Sequence, residues 1–414
     1  MKGEKVVCED GTASHFDCEK VDLISFMSRS EISPYRGSKM TDIWGWEDPE
    51  TGAEYVLQGR EDGVAFIDIR DPYNPVYVGQ MMKTEGSPGS GWRDVKVYKD
   101  HAFVVADGAG EHGVQIFDLR QLRDVPASEM PKTFEQTAHY DGVHSTHNIV
   151  INEETGFAYA VGNRAGGTVC GGQLHMINVQ DPVNPKFAGC FSQQGAGGTH
   201  DAQCVVYRGP DQEHQGREIC FASNEDSLTI VDVTDKTSPV QISRTGYLAP
   251  GEFGYVHQGW LTSDQHFFLQ DDELDEIGQG HTTRTYVWDV RDLDQPIFRS
   301  WDAAEPSLDH NQYVKGDYTF QANYKRGLRL LSIDDAESAS LTEIGYFDTF
   351  PSTAGNPNGF DGAWSVYPYF KSGTVIVSDI SRGLFVLTPR FPEPPLFADG
   401  FESGDPGAWS TQAP

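Results

Sequence analysis

Four histidines recur at nearly even distances along the chain, and they are the residues best suited to chemistry. His147, His200, His257 and His310 lie 53, 57 and 53 residues apart, and we refer to them as the histidine column. Neutral imidazole is the commonest side-chain metal ligand. An all-nitrogen set suits Cu, Fe, Zn or Ni and not Mg²⁺ or Ca²⁺. Spacing on this scale does not fit one helix face, and it indicates a repeating structural unit.

Seven segments share one pattern. Each begins with a run of β-forming residues, continues with a polar or glycine turn, and ends with a run of alternating apolar and polar residues that closes on Asp or a similar residue. Examples are AEYVLQGREDGVAFIDI (53–69) and EICFASNEDSLTIVDV (218–233). Each unit offers four short strands, which predicts an all-β, seven-bladed β-propeller of four-stranded blades. The last unit lacks its fourth strand. We expect the N-terminal run CEKVDLISFM (18–27) to complete that blade and close the ring.

The histidine column falls at one position when the starts of the innermost strands are aligned. The other three units carry Asp42, Arg93 and Gly362 there. Because the innermost strand of every blade lines the channel, the four imidazoles are predicted to meet at one channel mouth. The residues that follow them on the strand point the other way and are expected to hydrogen-bond between blades; these are Asn148, Asp201, Gln258 and Asn311. The alternative is that the histidines themselves only fasten neighbouring blades.

Turns on the same face as the histidine column, together with positions in or just before the aligned strand starts, supply further candidate residues. Those expected to orient the imidazoles or to contact a substrate are His144, Asp42, Arg93, Arg164, Asp271, Asp272, Glu273 and Lys325. Long inserts at two of these turns, NRAGGTVCGG (163–172) and DDELDEIGQGHTTRT (271–285), mark this face as the binding face.

The acidic run DDELDE (271–276) offers carboxylate oxygens that could hold Ca²⁺. It lacks the spacing of a dedicated calcium loop, and the alternative expectation is a solvated acidic loop. Outside the histidine column, Trp260 and Tyr313 follow strand periodicity and are expected in the core or channel wall. His101, His112 and His214 are expected at the surface.

Charge excludes one class of partner. The chain has 31 Lys and Arg against 62 Asp and Glu, a net charge of −31, which repels nucleic acid and anionic lipid. No run of 18 apolar residues is present, so no membrane span is predicted. We expect a monomer, because a closed propeller leaves few sheet edges to pair.

Six cysteines suggest export. They fall into three sequence-local pairs without a C-x-x-C motif, namely Cys8 and Cys18, Cys170 and Cys190, and Cys204 and Cys220. Such pairs favour disulfides in an extracellular, cell-surface or periplasmic protein, with buried free thiols as the alternative. The N-terminus has no apolar signal-peptide core, so we expect a signal that has been removed.

The composition along the chain predicts three regions. Residues 1–17 are predicted to be an N-terminal extension, residues 18–392 the propeller, and residues 393–414 an acidic flexible tail or the stub of an anchor.

Long motifs across residues 18–390 resemble the choice-of-anchor B family, secreted bacterial proteins built from LVIVD-type propeller repeats. They include HNIVINEETGFAYAVG, THDAQCVVYRGPD, REICFASNEDSLTIVDV and VHQGWLTSDQHFFLQDDELDE. The resemblance implies export, a propeller and variable C-terminal anchoring. It implies no particular activity.

Together these features predict an exported propeller metalloprotein, with Cu or Fe favoured over Zn in the histidine column. Arg93 and Arg164 would bind an anionic substrate beside the metal, and whether the protein is an enzyme stays open. The expected partner is a small molecule or glycan at the channel mouth, or a surface protein. Two alternatives need no metal: a cell-surface recognition or adhesion module, and a polysaccharide lyase that uses a His or Tyr base and an Arg.

Overall fold

The computed structural model describes residues 1–33, 35, 37–163, 165–167, 169–194, 197–248, 254–351 and 357–391. It is an all-β structure of seven small antiparallel sheets that form the blades of a seven-bladed propeller. Within each blade the strands follow one another in chain order from the channel outwards, except at the point of closure. The predicted fold class is therefore confirmed.

Each blade runs from an innermost strand at the channel to an outermost strand at the rim. In that order, blade 1 consists of Met40–Glu47, Glu54–Arg60, Gly63–Asp68 and Val76–Met82. Blade 2 consists of Arg93–Tyr98, His101–Ala106, Val114–Asp118 and Ala138–Tyr140. Blade 3 consists of Asn148–Asn152, Phe157–Val161, Leu174–Asn178 and Lys186–Phe191. Blades 4 and 5 consist of Thr199–Val206, Glu218–Asn224, Ser227–Asp232 and Val240–Thr245; and Val256–Leu261, Phe267–Asp272, Arg284–Asp289 and Ile297–Asp302. Blades 6 and 7 consist of Asn311–Lys315, Tyr318–Ala322, Leu328–Asp335 and Ser340–Phe347; and Ala363–Tyr367, Val375–Asp379, Gly383–Pro389 and Val21–Ser28.

Short elements decorate the ring. Lys132–Phe134 adds a parallel fifth strand to blade 1, and Val143–Ser145 pairs with Ala165–Gly167. The helices of the described chain are single turns: α-helices Arg29–Ile32 and Asp275–Gln279, and 3₁₀ helices Leu119–Leu122, Ala127–Glu129, Cys170–Gly172 and Ala336–Ser338.

An N-terminal strand closes the ring. Val21–Ser28 pairs antiparallel with Gly383–Pro389 as the outermost strand of blade 7, which confirms the predicted closure. It joins the two ends of the propeller sequence through backbone hydrogen bonds and covers an otherwise open edge. Within the predicted N-terminal extension, Thr12–Ala13 and the start of Phe16–Glu19 continue blade 6 at its outer edge. The predicted tail, residues 393–414, lies outside the described residues.

The core lies between the blades, because each blade buries both of its faces against its neighbours. All seven residues of Glu54–Arg60 are buried, for example. Aromatic side chains from adjacent blades meet across these layers: Phe66 stacks on Phe117 at 4.7 Å, and Phe221 on Phe268 at 5.5 Å between ring centroids. Rigid packing of this kind holds the innermost strands in fixed positions around the channel.

All six cysteines are paired as expected, in the disulfides Cys8–Cys18, Cys170–Cys190 and Cys204–Cys220. The last of these joins directly opposed residues of the first two strands of blade 4. Among the described residues, no helix is long and apolar enough to cross a membrane.

Candidate functional site

The histidine column lies at the mouth where the innermost strands begin. His147 and His310 directly precede the innermost strands of blades 3 and 6, and His200 and His257 are the second residues of those of blades 4 and 5. Neighbouring rings are close: the centroid distances are 4.1, 4.0 and 4.4 Å in chain order. The four side chains therefore form a continuous arc around one channel opening, which we call the histidine mouth.

Hydrogen bonds at Nδ1 orient three of the four rings. His147 Nδ1 lies 3.0 Å from Asp107 Oδ2, His200 Nδ1 lies 2.9 Å from the His257 carbonyl, and His310 Nδ1 lies 2.5 Å from the Trp364 carbonyl. His257 Nδ1 reaches no partner at hydrogen-bond geometry among the described residues, although the backbone of His310 acts on its ring. A carbonyl accepts only from N–H, so Nδ1 of His200 and Nδ1 of His310 each carry a proton; in the neutral ring of His310 the lone pair is then on Nε2.

Burial keeps the deeper imidazoles neutral. Desolvation lowers the pKa of His310 to about 3, and desolvation together with the neighbouring histidines holds the pKa of His257 well below its usual range. At the other end of the arc, burial raises the pKa of Asp107, but hydrogen bonds from His147, Ser145 and Gly108 outweigh it and leave that pKa at about 2. Neutral imidazole, as in His257 and His310, is the form that binds metal ions.

Glu273 completes a set of converging ligand atoms. Its carboxylate oxygens lie 3.9 Å from His257 Nε2 and 3.8 Å from His310 Nε2, and ligand atoms of these three residues all fall within 4.8 Å of one another. The Tyr324 hydroxyl donates a hydrogen bond to Glu273 Oε1. Desolvation raises the pKa of Glu273 to about 6 despite that hydrogen bond. The converging set thus joins one oxygen ligand to two of the four predicted nitrogens, and His147 and His200 are not among its members.

The histidine mouth opens into a cavity of about 300 Å³. Besides the histidines and Glu273, its walls are Trp92, Asp107, Tyr255, Leu274 and Trp364. Immediately below the rings the channel narrows around a buried ion cluster, in which Lys96 Nζ lies 3.0 Å from Asp42 Oδ2 and 2.5 Å from Asp94 Oδ1. Desolvation raises the pKa of Asp42 to about 7. This cluster separates the histidine mouth from the other end of the channel.

Not every predicted neighbour of the histidines faces the mouth. Arg93 makes its hydrogen bonds inside the protein wall, to the Arg60 carbonyl at 2.9 Å and to His112 Nε2 at 2.6 Å. The ring of His144 packs against Gly166, and Lys325 lies 5.9 Å from the Phe350 ring centroid. Arg164 lies outside the described residues. The Arg93 guanidinium bonds across blades 1 and 2, although the residue also lines the constriction beneath the histidines, and its predicted anion-binding role stays a prediction.

The residues that follow the histidine column join neighbouring blades, as expected. Asn148 Nδ2 donates to the His200 carbonyl at 3.1 Å, Gln258 Nε2 to the Gln312 carbonyl at 3.0 Å, and Asn311 Nδ2 to the Trp364 carbonyl at 3.1 Å. Asp201 differs, because its carboxylate accepts from the backbone amide of the next residue, Ala202, and lies near Lys96.

The expectation of a solvated acidic loop is wrong. Five carboxylates between blades 5 and 6 are at most 1% exposed, and we call them the acidic cluster: Asp271, Asp272, Asp275, Glu276 and Asp309. Asp272 accepts from the backbone amides of Tyr255, Leu274 and Asp275. Both oxygens of Asp309 and both of Glu276 have no hydrogen-bond donor among the described residues. Desolvation raises the pKa of every member.

Three histidines expected at the surface are buried instead. His101, His112 and His214 are at most 6% exposed. His214 Nε2 lies 3.1 Å from Asp294 Oδ2, and with Asp211 these residues form a second group of converging ligand atoms. This contact could not be predicted from the sequence, because Asp294 belongs to the next blade, 80 residues further along the chain.

Comparison with known proteins supports the fold alone. No protein-family model matches the chain, and the search of curated proteins finds no match. A solved structure of a protein from Lactobacillus plantarum, a structural genomics target, is similar with a TM-score of 0.51 and 12% sequence identity. The match covers 82% of this chain and 88% of that one. At this identity the likeness extends to architecture and not to the site.

Sequence reasoning missed Trp364 as a site residue, and it did not single out Asp107 and Tyr324 from the other turn residues on this face. Asp107 and Tyr324 follow the second strands of blades 2 and 6, and each contacts a histidine or Glu273 from a different blade. Trp364 takes the histidine position of blade 7 in space, with its ring centroid 4.4 Å from that of His310. The alignment placed Gly362 there, two residues earlier.

Proposed function

We propose that this protein is an exported metalloprotein whose histidine column holds a transition-metal ion at one mouth of the propeller channel. The observation that carries the proposal is the arc of four neighbouring imidazoles, with Nδ1 of His200 and His310 bonded to backbone carbonyls and Glu273 within 4 Å of two Nε2 atoms. In metal sites, the ring nitrogen that does not bind the metal commonly donates to a carbonyl or carboxylate in this way.

The donor set favours Cu or Fe, with Zn next. Imidazole suits all three ions, and a carboxylate beside several imidazoles is common for iron. Bound there, the metal would supply Lewis acidity, water activation or redox chemistry to a small molecule in the cavity. Trp92, Tyr255 and Trp364 would pack against that molecule, and Asp107 and Tyr324 would orient His147 and Glu273.

A purely structural role for the histidines is the competing account. Each Nδ1 bond to a carbonyl of the next blade also fastens two blades, which a recognition or adhesion propeller would need without any metal. The two roles use different atoms: fastening uses Nδ1, and metal binding uses Nε2. Asparagine places an amide N–H near the position of Nδ1 and has no atom at the position of Nε2. A His→Asn substitution therefore keeps the blade-fastening hydrogen bond and removes the metal ligand.

The test is elemental analysis of protein purified without a His-tag or added metal, beside His200→Asn/His310→Asn. We expect close to one equivalent of Cu, Fe or Zn in the parent chain and less than about a tenth of that in the double variant, with its melting temperature nearly unchanged. His266→Asn, which changes a histidine outside the column, is the matched control and keeps the metal. No metal in the parent chain and no uptake on titration with Cu²⁺, Fe²⁺ and Zn²⁺ would overturn the proposal in favour of a recognition propeller.

We further propose that a hard cation such as Ca²⁺ neutralises the acidic cluster. Burying an uncompensated carboxylate costs several kcal/mol, and no basic side chain reaches these oxygens in a hydrogen bond within the described residues. Carboxylate and amide oxygens are the ligands that Ca²⁺ takes. The cation would draw Asp309 and Glu276 towards Asp271. Protons shared among the carboxyls are the alternative, and urea unfolding at two pH values with and without Ca²⁺ distinguishes the two.

The three disulfides support an oxidising compartment, hence an extracellular, periplasmic or cell-surface location. They agree with the resemblance to the choice-of-anchor B family, which we retain as part of the proposal. The protein would act as a monomer on a small molecule or glycan, and the net charge of −31 argues against nucleic acid. The lyase alternative needs an arginine to neutralise its substrate, and the Arg93 guanidinium is already hydrogen-bonded to the Arg60 carbonyl and to His112.

A further inference from the structure

The far end of the channel carries a second and larger cavity. The innermost strands begin at the histidine mouth and end at the opposite mouth, and a cavity of about 570 Å³ opens among those strand ends. The buried cluster of Lys96, Asp42 and Asp94 lies between the two openings. The cavity is within the size range of small-molecule sites.

Five aromatic side chains form much of its wall, and we call them the aromatic vestibule: Trp44, Trp260, Tyr313, Tyr367 and Tyr369. They are contributed by blades 1, 5, 6 and 7. Ring centroids lie 5.0 Å apart for Trp260 and Tyr313, 5.1 Å for Trp44 and Tyr367, and 5.4 Å for Tyr367 and Tyr369. Trp260, Tyr367 and Tyr369 are half-buried, so a ligand can reach them.

Several polar groups in this wall have no partner in the described part of the chain. The indole N–H groups of Trp44 and Trp260 and the hydroxyl of Tyr367 take part in no hydrogen bond there, and none of the three is sealed from solvent. Gln203 uses only its carbonyl oxygen, which accepts from the Leu261 amide. Glu153 is exposed to the cavity, and desolvation by the surrounding wall raises its pKa. The wall thus offers donors and one acceptor beside apolar ring faces.

The charges that line the cavity nearly cancel. Lys96 and Arg208 are basic, Glu153 and Glu154 are acidic, and desolvation raises the pKa of Asp201 to about 6. Arg208 is paired with Glu154 at 2.6 Å. Lys96 Nζ lies 4.6 Å from the Trp44 ring centroid, so this one of the five rings already has an ammonium group against its face. The balance favours a neutral ligand.

We propose that the aromatic vestibule binds a neutral sugar residue of a glycan. A sugar ring presents C–H faces that pack on aromatic rings and vicinal hydroxyls that both donate and accept hydrogen bonds. Trp260 and Tyr367 supply the packing faces, Glu153 accepts from two hydroxyls, and the indole N–H groups donate to ring or hydroxyl oxygens. This site is independent of the metal proposal, because it lies at the other channel mouth and uses none of the histidines.

The test is titration of the full chain with a panel of neutral disaccharides that includes cellobiose, maltose and N,N′-diacetylchitobiose, followed by tryptophan fluorescence and calorimetry. We expect saturable binding of at least one disaccharide at or below about 10 mM. Glu153→Gln and Trp260→Phe should each weaken it at least about tenfold, the former without effect on folding because Glu153 is exposed. Trp301→Phe, at a half-buried tryptophan on the outermost strand of blade 5, is the matched control and leaves the affinity unchanged.

Two outcomes would overturn this inference. One is no binding of any panel member at about 10 mM. The other is sugar binding that is unchanged by both vestibule substitutions, or tighter binding of tetramethylammonium than of any sugar. The latter would show that the aromatic rings bind a cation. Removing metal with a chelator should leave sugar binding intact, so failure of the metal proposal and failure of this one are distinguishable.

Discussion

The acidic cluster predicts how the free energy of unfolding changes with pH, and the direction of the change follows from the structure. Desolvation and the neighbouring Asp275 raise the pKa of Glu276 from its ordinary 4.5 to about 10. The folded chain therefore holds this proton more tightly than the unfolded chain. The stability that the proton contributes is complete below pH 4.5 and is lost as the pH rises towards 10. At pH 8 the loss amounts to about 5 kcal/mol for one group, at 1.36 kcal/mol per pH unit.

The assay is urea unfolding of the parent chain and of Glu276→Gln at pH 5 and pH 8, in chelator and in Ca²⁺. Glutamine keeps the shape and cannot ionise. In chelator, the parent chain should lose a few kcal/mol between pH 5 and pH 8, and the variant should lose less by the share of this one group, because the other four carboxyls of the cluster still titrate. Ca²⁺ should restore the parent chain at pH 8, because bound cation replaces the proton, and should have a smaller effect on the variant. Glu85→Gln, at an exposed position, is the control and follows the parent chain.

Two results would count against this reasoning. If the parent chain in chelator is equally stable at both pH values, Glu276 is not held protonated and the cluster is solvated in solution. If the pH dependence appears but Ca²⁺ leaves it unchanged, protons and not a cation neutralise the carboxylates, and the calcium proposal fails.

Three further predictions follow from other buried contacts. Burial and Arg93 lower the pKa of His112 to about 3. The stability that the neutral ring contributes is therefore complete above pH 6.5 and falls by about 1.4 kcal/mol per pH unit on acidification towards pH 3. His112→Gln should make the loss of stability between pH 6.5 and pH 3 less steep in acid unfolding curves, and an unchanged slope would refute this prediction. Tyr324→Phe removes the hydrogen bond to Glu273 and should weaken metal affinity about tenfold or more in competition titrations, with the fold intact by circular dichroism; unchanged affinity would remove Glu273 from the site. Replacing Cys204 and Cys220 by alanine opens a loop with a sequence separation of 16 and should lower the free energy of unfolding by about 3 kcal/mol in guanidinium; a loss below about 1 kcal/mol would show that the bridge is not stabilising.

The repeat pattern was enough to predict the propeller and its closure. Four-stranded units of similar length allow few other architectures, and the missing fourth strand of blade 7 pointed to residues 18–27, where the structure has the closing strand Val21–Ser28. The histidine column was predictable for the same reason, because equivalent positions of successive blades become neighbours around the axis. Three disulfides followed from the local spacing of the cysteines.

Contacts between non-equivalent positions were not predictable. Glu276 is buried within electrostatic range of Asp309, which precedes the innermost strand of blade 6, and no periodicity links the two positions. His112 was expected at the surface, but it is buried in the loop between two strands of blade 2, where Arg93 from the innermost strand contacts it. The aromatic vestibule likewise combines Trp44 near the start of the chain with Tyr367 near its end. Such pairs depend on how the ring closes and on the direction of each side chain.

The most direct test of the metal site is anomalous diffraction from crystals of the untagged protein, with data collected on both sides of the Cu, Fe and Zn absorption edges. The account predicts one strong peak at the histidine mouth, about 2.0–2.2 Å from Nε2 of at least three members of the histidine column. Absence of any peak there after soaking with each metal, or a peak confined to His214 and Asp294, would contradict it.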